Sequence, residues 1–549
     1  MRAFRMAWLF FAAGALDAQQ SAPPKRQGPP KQESGSIQGR VVNAVTGEAV
    51  KKAEIVLFRR DSQQNQSYTT TASTSGWFAM QDVEPGRYSL SVSKRGYARL
   101  TFGAHGPGRS GAALSLDPGQ HLADITLRMS PQAVIAGRVV DEDGDPVPNI
   151  QLQLLHYSYR KGKRKLEPWG NSGTNDLGEY RLFGLSPGKY YLSATPNEGP
   201  RLETGRQGYT PTYYPGTSDP AGATALELQP GTMLRGVEIT LMKTRTVRLR
   251  GRVVGPAGTA PTGVNVMLTP REDAESMFGR QLGANIDAQG NFEFPSVVPG
   301  AYLVQAFQHA GADKMFAVTQ AVDTRGNDVE NIVLALAPAA ELKGYLRVEG
   351  RALQNLADLQ VSLQPDGPNY QGWAGGPVKA DGSFTIPNVT STHYELNVHG
   401  FPDDYYIKSA ALDGKDILEA GINFMPGTSG AIEIVLAGTG GQVEGVVLNA
   451  DQQPATEASV VAVPDEPRRA QLRFYKEDHT DQYGRFTIKG IAPGRYKLFA
   501  WEDVEEGAYQ DPEFIKRFEA LGEAVAIREN SHESAPLKLI PAGEKKATK

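Results

Sequence analysis

One set of residues returns five times along this 549-residue chain, and its spacing fixes the size of the folding unit. Tyr88, Tyr190, Tyr302, Tyr394 and Tyr496 mark the same place in each copy, 102, 112, 92 and 102 residues apart. A period near 100 is too long for a solenoid turn of about 20–50 residues and suits a whole domain. Each copy therefore needs a hydrophobic core of its own.

Three stretches recur in every copy. The first opens it: GRVVNAVTGEAV (39–50), GRVVDEDGDPV (137–147), GRVVGPAGTAP (251–261), and the weaker KGYLRVEGRAL (343–353) and EGVVLNADQQPA (444–455). The second places Gly76, Gly178, Gly290, Gly382 and Gly484 two residues before Phe78, Tyr180, Phe292, Phe384 and Phe486, ahead of the repeated tyrosine. The third is an alternating apolar segment such as ADITLRM (123–129) or VEITLMK (237–243). Alternation with period two marks strands with one buried face. Glycines after Ser, Asp or Gln mark turns that need positive φ. In Pro-Gly-x-Tyr, Pro is expected to preset φ for a turn, Gly to supply positive φ at its third position, and Tyr to open the next strand facing inward. Many short strands between turn signals predict an all-β chain of five tandem seven-stranded β-sandwiches, beads on a string.

The pattern of G-R-V-V, D-x-x-G-x-F or Y, and P-G-x-Y, with Gly96-Tyr97 in the first copy, resembles the carboxypeptidase regulatory-like domain. That resemblance implies a transthyretin-like sandwich, related in fold to carbohydrate-binding sandwiches, and an accessory rather than catalytic role. It covers residues 34–543 and is weakest in the fourth copy, where Tyr394 follows Ser391-Thr392-His393 and no Pro-Gly precedes it. The expected units are 34–130, 131–244, 245–338, 339–438 and 439–543. Before them, Arg2 and Arg5 precede an eleven-residue apolar run, Met6–Leu16, with Ala18 at a cleavage position. The run is too short for a bilayer and reads as a signal peptide over 1–18, followed by a Pro-rich linker over 19–33. Export to the periplasm, the outer membrane or the medium follows, with no transmembrane span afterwards.

Catalytic chemistry finds little footing. The chain has no cysteine, so disulfides, thiolate metal sites and cysteine nucleophiles are excluded. None of the eight histidines opens H-x-x-E or H-E-x-x-H, and neither a G-x-S-x-G elbow nor a Walker A loop occurs. A lone G-x-G-x-x-G at Gly106, Gly108 and Gly111 is followed by strand-like residues, unlike a phosphate loop. Asp141-Glu142-Asp143-Gly144-Asp145 offers carboxylates to calcium but stands where other copies carry a plain turn. The expected chain is not an enzyme and needs no cofactor.

Binding is the leading expectation. Aromatics that the repeat leaves unexplained are candidates for stacking on sugars: Tyr213, Tyr214, Tyr370 and Trp373, with Tyr405 and Tyr406 beside them. The second copy also carries an insertion, His156–Arg160 followed by KGKRKLEPW to Trp169. Its basic and aromatic residues suit an anionic polymer, but a solvated hairpin tip is the simpler reading. Polysaccharide or an envelope protein are the expected partners, and nucleic acid is not expected at a net charge of −4 after export. The alternatives are a semi-rigid stalk, given the short links at Met129–Val134 and Thr244–Leu249, or an accessory to a separate hydrolase. One helix is expected over 511–521, with Asp511 as its cap, Phe514, Ile515, Phe518 and Leu521 on one face, and Gly522 as its stop.

Overall fold

The computed structural model describes residues 33–60, 66–104, 111–196, 207–255, 263–271, 281–309, 314–365, 374–425 and 430–542. The expected signal peptide, nearly all of the linker, Gly106, Gly108, Tyr370 and Trp373 lie outside the described residues.

The first domain shows the plan. Its opening strand, Gly35–Asn43, lies between Trp77–Val83, antiparallel, and the closing strand His121–Met129, parallel. The facing sheet runs in the order Ser67–Thr71, Glu54–Arg59, Gly86–Ser93, with Leu114–Leu116 and Leu100–Thr101 both paired to Gly86–Ser93. The other four domains repeat this pairing around opening strands Ala133–Val140, Val247–Val254, Ala340–Glu349 and Gly441–Leu448. Five separate apolar clusters fill the five sandwiches.

The recurring residues meet across strands. Gly39, Gly137, Gly251, Gly344 and Gly445 stand directly opposite Phe78, Tyr180, Phe292, Phe384 and Phe486. A Cβ on any of these glycines would collide with a backbone carbonyl, that of Ile125, Val237, Ile332 or Ile432 on the closing strand, or of Ala535 between the strands His532–Ser534 and Leu537–Ile540. On Gly137, Gly251, Gly344 and Gly445 it would also meet the opposite aromatic side chain. The ring covers the backbone that glycine leaves bare. The first two sequence echoes are thus one cross-strand unit.

The turn glycines Gly76, Gly178, Gly290, Gly382 and Gly484 all have positive φ, as expected. The Pro-Gly glycines do not follow the expected turn. Gly86, Gly300 and Gly494 have no positive φ, and Gly188, at φ 156°, is far from the φ of about 80° of the third position of such a turn. Their use is clearance: a Cβ on Gly300 or Gly188 would stand 3.3 or 3.4 Å from the ring two residues on. The ring itself is tied back. The hydroxyls of Tyr88, Tyr190, Tyr302 and Tyr496 donate to the carbonyls of Glu84, Ser186, Val298 and Ala492, each four residues earlier, at 2.6–3.0 Å. The fourth domain keeps this corner without Pro-Gly. There Tyr394 accepts from the Thr390 backbone N–H at 3.1 Å and pairs with the Thr390 hydroxyl at 3.0 Å.

Two domains depart from the plan. In the second, the inserted residues extend a hairpin, Ile150–Arg160 with Lys163–Gly173. Lys161 and Gly162 form its tip, both with positive φ, as a two-residue turn that matches strand twist requires. In the fifth, Leu537–Ile540 pairs with both sheets and joins them into one of eight strands. Strand Ser459–Pro464 is buried on both faces. Val460 and Ala462 enter the sandwich core, whereas Val461 and Val463 join a second cluster with Phe499, Trp501 and the helix. The helix is shorter than expected, Pro512–Lys516, with the Asp511 side chain accepting from Glu513 N at 2.9 Å and a 3₁₀ turn following at Glu519–Leu521. It covers the outer face of the sheet rather than an open end, and Leu521, expected on its buried face, is 52% exposed.

Two outcomes follow. Gly445→Ala should cost its domain about 1–3 kcal/mol by overpacking, read as faster hydrogen exchange across Gly441–Leu448. Burial pushes the Tyr190, Tyr475 and Tyr496 hydroxyls up to about 12 from 10. Their folded pKa values lie above the unfolded ones, so this stability is complete below about pH 10 and is lost as pH rises toward about 12. Tyrosinate absorbance should show these three ionising together with unfolding, not before it.

Candidate functional site

The domains are strung on short links, yet the first and last touch. The Gln482 side chain accepts from Ser115 N at 3.0 Å and donates to Ser115 O at 2.6 Å, pairing with an edge strand as a neighbouring strand would. Arg87 reaches Asp478 at 2.9 Å, and Gln120 donates to the Tyr483 hydroxyl. Asp478 is nearly buried and also accepts from Thr487 N at 2.7 Å. This closure counts against the semi-rigid rod expected from the short links.

The hairpin of the second domain reaches the fifth domain too. Tyr159 packs on the second apolar cluster of that domain, and Gly162 and Gly507 sit where a Cβ would strike Gln510 or Tyr159 across the contact. Lys161 pairs with Glu395 of the fourth domain at 2.7 Å. The tip is docked on two domains, although its charged side chains stay exposed. Between the second, fourth and fifth domains this leaves a cleft of about 1150 Å³.

One wall is aromatic. The register of the hairpin slips between Leu154 and Leu155, opposite Gly170 and Pro168, which makes Trp169 the extra residue of a bulge. A bulge re-aims a side chain. Trp169 stands edge-on to His156 at 4.7 Å and is 38% exposed. On the next positions, Tyr157 meets Tyr191 edge-on at 5.2 Å, and Arg164 lies over the Tyr157 ring at 4.2 Å. Tyr509 closes the far side, its hydroxyl donating to Glu477 at 2.5 Å, and burial together with Glu477 holds it well above its ordinary pKa.

Histidines and carboxylates from different domains do converge here, His156 with His393, Glu395, Glu419, Glu466 and Glu505. Glu395 and Glu505 are engaged across domain boundaries, by Lys161 and by Arg164 at 3.9 Å. Among the described residues, no three His, Cys, Asp or Glu side chains are grouped to hold a metal ion. The Asp141 carboxylate is used by its own turn, accepting from Asp143 N and Asp145 N at 3.0 and 2.9 Å.

Of the aromatics expected to bind, those among the described residues are elsewhere. Tyr213 and Tyr214 lie in the second domain away from the cleft, half-buried, with Tyr214 packed on the sandwich core. Tyr405 and Tyr406 are buried at 2% and 8%, and the Tyr405 hydroxyl donates to Arg351 O at 2.9 Å. Tyr157, Trp169 and Tyr191 are among the rings that line the cleft. The insertion signalled the first two, and nothing signalled Tyr191.

Residues 36–130 match the family of carboxypeptidase regulatory-like domains. Domain 1 is thus similar to carboxypeptidase regulatory-like domains. The other four share its strand pairing. Among solved structures, the TIE protein of Bacillus anthracis is 16% identical over 56% of this chain, which spans about half (51%) of that protein, with a TM-score of 0.17. The minor pilin GBS52 of Streptococcus agalactiae is 14% identical over 42% of this chain and 100% of its own, at 0.24. The major pilin BcpA of Bacillus cereus is 10% identical over 55% of this chain and 99% of its own, at 0.14. Scores this low tie neither the domain arrangement nor a function to those proteins. Among curated proteins nothing matches.

The closure between domain 1 and domain 5 can be measured. A compact chain of this length has a radius of gyration of about 24 Å. Arg87→Ala with Gln482→Ala should raise the scattering radius clearly above that of the native chain.

Proposed function

We propose that the chain is an exported, non-enzymatic envelope protein whose inter-domain cleft binds polysaccharide. The observation that carries this is Trp169, turned into the cleft by a bulge and left with an accessible ring beside His156. Sugars stack their C–H faces on such rings and satisfy their hydroxyls at the rim. Tyr157, Tyr191 and the polar side chains around them supply both kinds of contact. The cleft exceeds the range of about 300–1,000 Å³ usual for small-ligand pockets, which suits several linked sugar rings.

Export is supported by the basic-then-apolar start of the chain, and an accessory role by the regulatory-like family of domain 1. A stalk without a ligand fits less well, because contact between the first and last domains shortens the chain.

In a polysaccharide pull-down panel, Trp169→Ala should weaken retention about tenfold or more, about 1.4 kcal/mol. The melting temperature should hold, since the ring is partly exposed at a bulge. Retention of nothing by the native protein rejects this function.

A further inference from the structure

The cleft opposes the net charge of the chain. The whole sequence sums to −4, yet among the described residues seven Lys and Arg against five glutamates line this space. Two of the carboxylates are engaged by Lys161 and Arg164. Lys163 and Lys189, on the wall formed by domain 2, have no ion pair among the described residues.

Arg473 is the unusual cation. It stands on the 3₁₀ turn Leu472–Phe474 of domain 5, where that domain meets domain 4. Its two terminal nitrogens donate to neutral acceptors, the Leu418 carbonyl and the Gln471 side-chain oxygen. Its Nε is buried without a partner among the described residues, and its guanidinium lies over the Phe474 ring at 4.6 Å. Burial pulls its pKa below the ordinary value. Asp416 and Glu419 partly offset that through space, and Arg468 adds to it. A guanidinium remains charged regardless. Holding one half out of water with no carboxylate bonded to it is costly, and an arriving anion reduces that cost.

We propose that Arg473, together with Lys163 and Lys189 of the same cleft lining, recognises acid groups on the bound polymer, so that the ligand is an acidic polysaccharide. This rests on the polysaccharide reading of the same cleft. The rings hold the sugar faces, while Arg473 reads a carboxylate through charge-assisted hydrogen bonds.

The test is calorimetric titration of the full chain with an oligogalacturonate and with its methyl ester, which keeps the linkage and loses the charge. The acid form should bind about tenfold or more tightly than the ester, and added salt should narrow the gap. Arg473→Gln should abolish the preference by lowering affinity for the acid form. Arg473→Lys should restore part of it. Equal affinity of the native protein for both forms overturns this inference and leaves the proposed function standing. Binding of neither form to the native chain removes both. If Arg473→Gln unfolds the junction of domains 4 and 5, Lys163→Gln with Lys189→Gln decides. Both side chains are exposed, and an unchanged preference in that variant overturns the inference.

Discussion

In every domain the opening strand is squeezed between two neighbours, and one glycine makes the squeeze feasible. Opposite it stands an aromatic side chain; beside it, a carbonyl of the closing segment comes too near for any Cβ. The glycine weakens a strand by itself, because it loses more freedom on folding and has no side chain to pack. The ring compensates by covering the bare backbone. This contact joins residues about 40 and about 90 positions apart, so it closes the sandwich rather than one hairpin. Parallel pairing of first and last strands also sends the chain in at one end of the domain and out at the other. Short links can then string five such domains without crossing the sandwiches.

Much of this was legible because it was repeated. Five copies of a glycine two residues before an aromatic predict five turns, and all five glycines have positive φ. The Pro-Gly glycine shows where repetition misleads. A tight turn and room for a ring ask for the same residue, and the sequence records only that nothing larger is there. Tyr394 shows the converse. Its corner survives without Pro-Gly because a threonine four residues earlier offers the hydroxyl both a backbone N–H and its own side chain. The closing-strand carbonyl was hidden for a different reason: its partner lies some 85 residues away, and nothing local betrays a backbone contact.

The cleft was far less legible. It has three owners, and no single copy of the repeat contains it. The insertion of domain 2 was visible as basic and aromatic excess, but its direction depends on a bulge at Trp169 and on a docking partner in domain 5. Tyr213 and Tyr214 stood out equally well in the sequence, yet both lie away from the cleft and Tyr214 packs on its own sandwich. The VVAV of strand Ser459–Pro464 is the exception that could be read. A run without alternation means both faces are covered, and here one faces the sandwich and the other the helix and Tyr159.

Glycines outside the repeat point to the contacts between domains. Gly162 and Gly507 bring the hairpin tip and the loop before the helix together at backbone distance. Gly440 and Gly490 do the same where domain 5 meets the carbonyls of Asp403, Asp404 and Tyr405. At each of these places a side chain would push two domains apart, as a side chain on the repeat glycines would push two strands apart. Residues that recur therefore build the sandwiches, and glycines that do not recur set how closely the sandwiches approach. Because backbone meets backbone at these junctions, little side-chain rearrangement is available to absorb motion there. A cleft walled by three separate domains can then keep its shape before a ligand arrives, which lowers the cost of ordering it on binding.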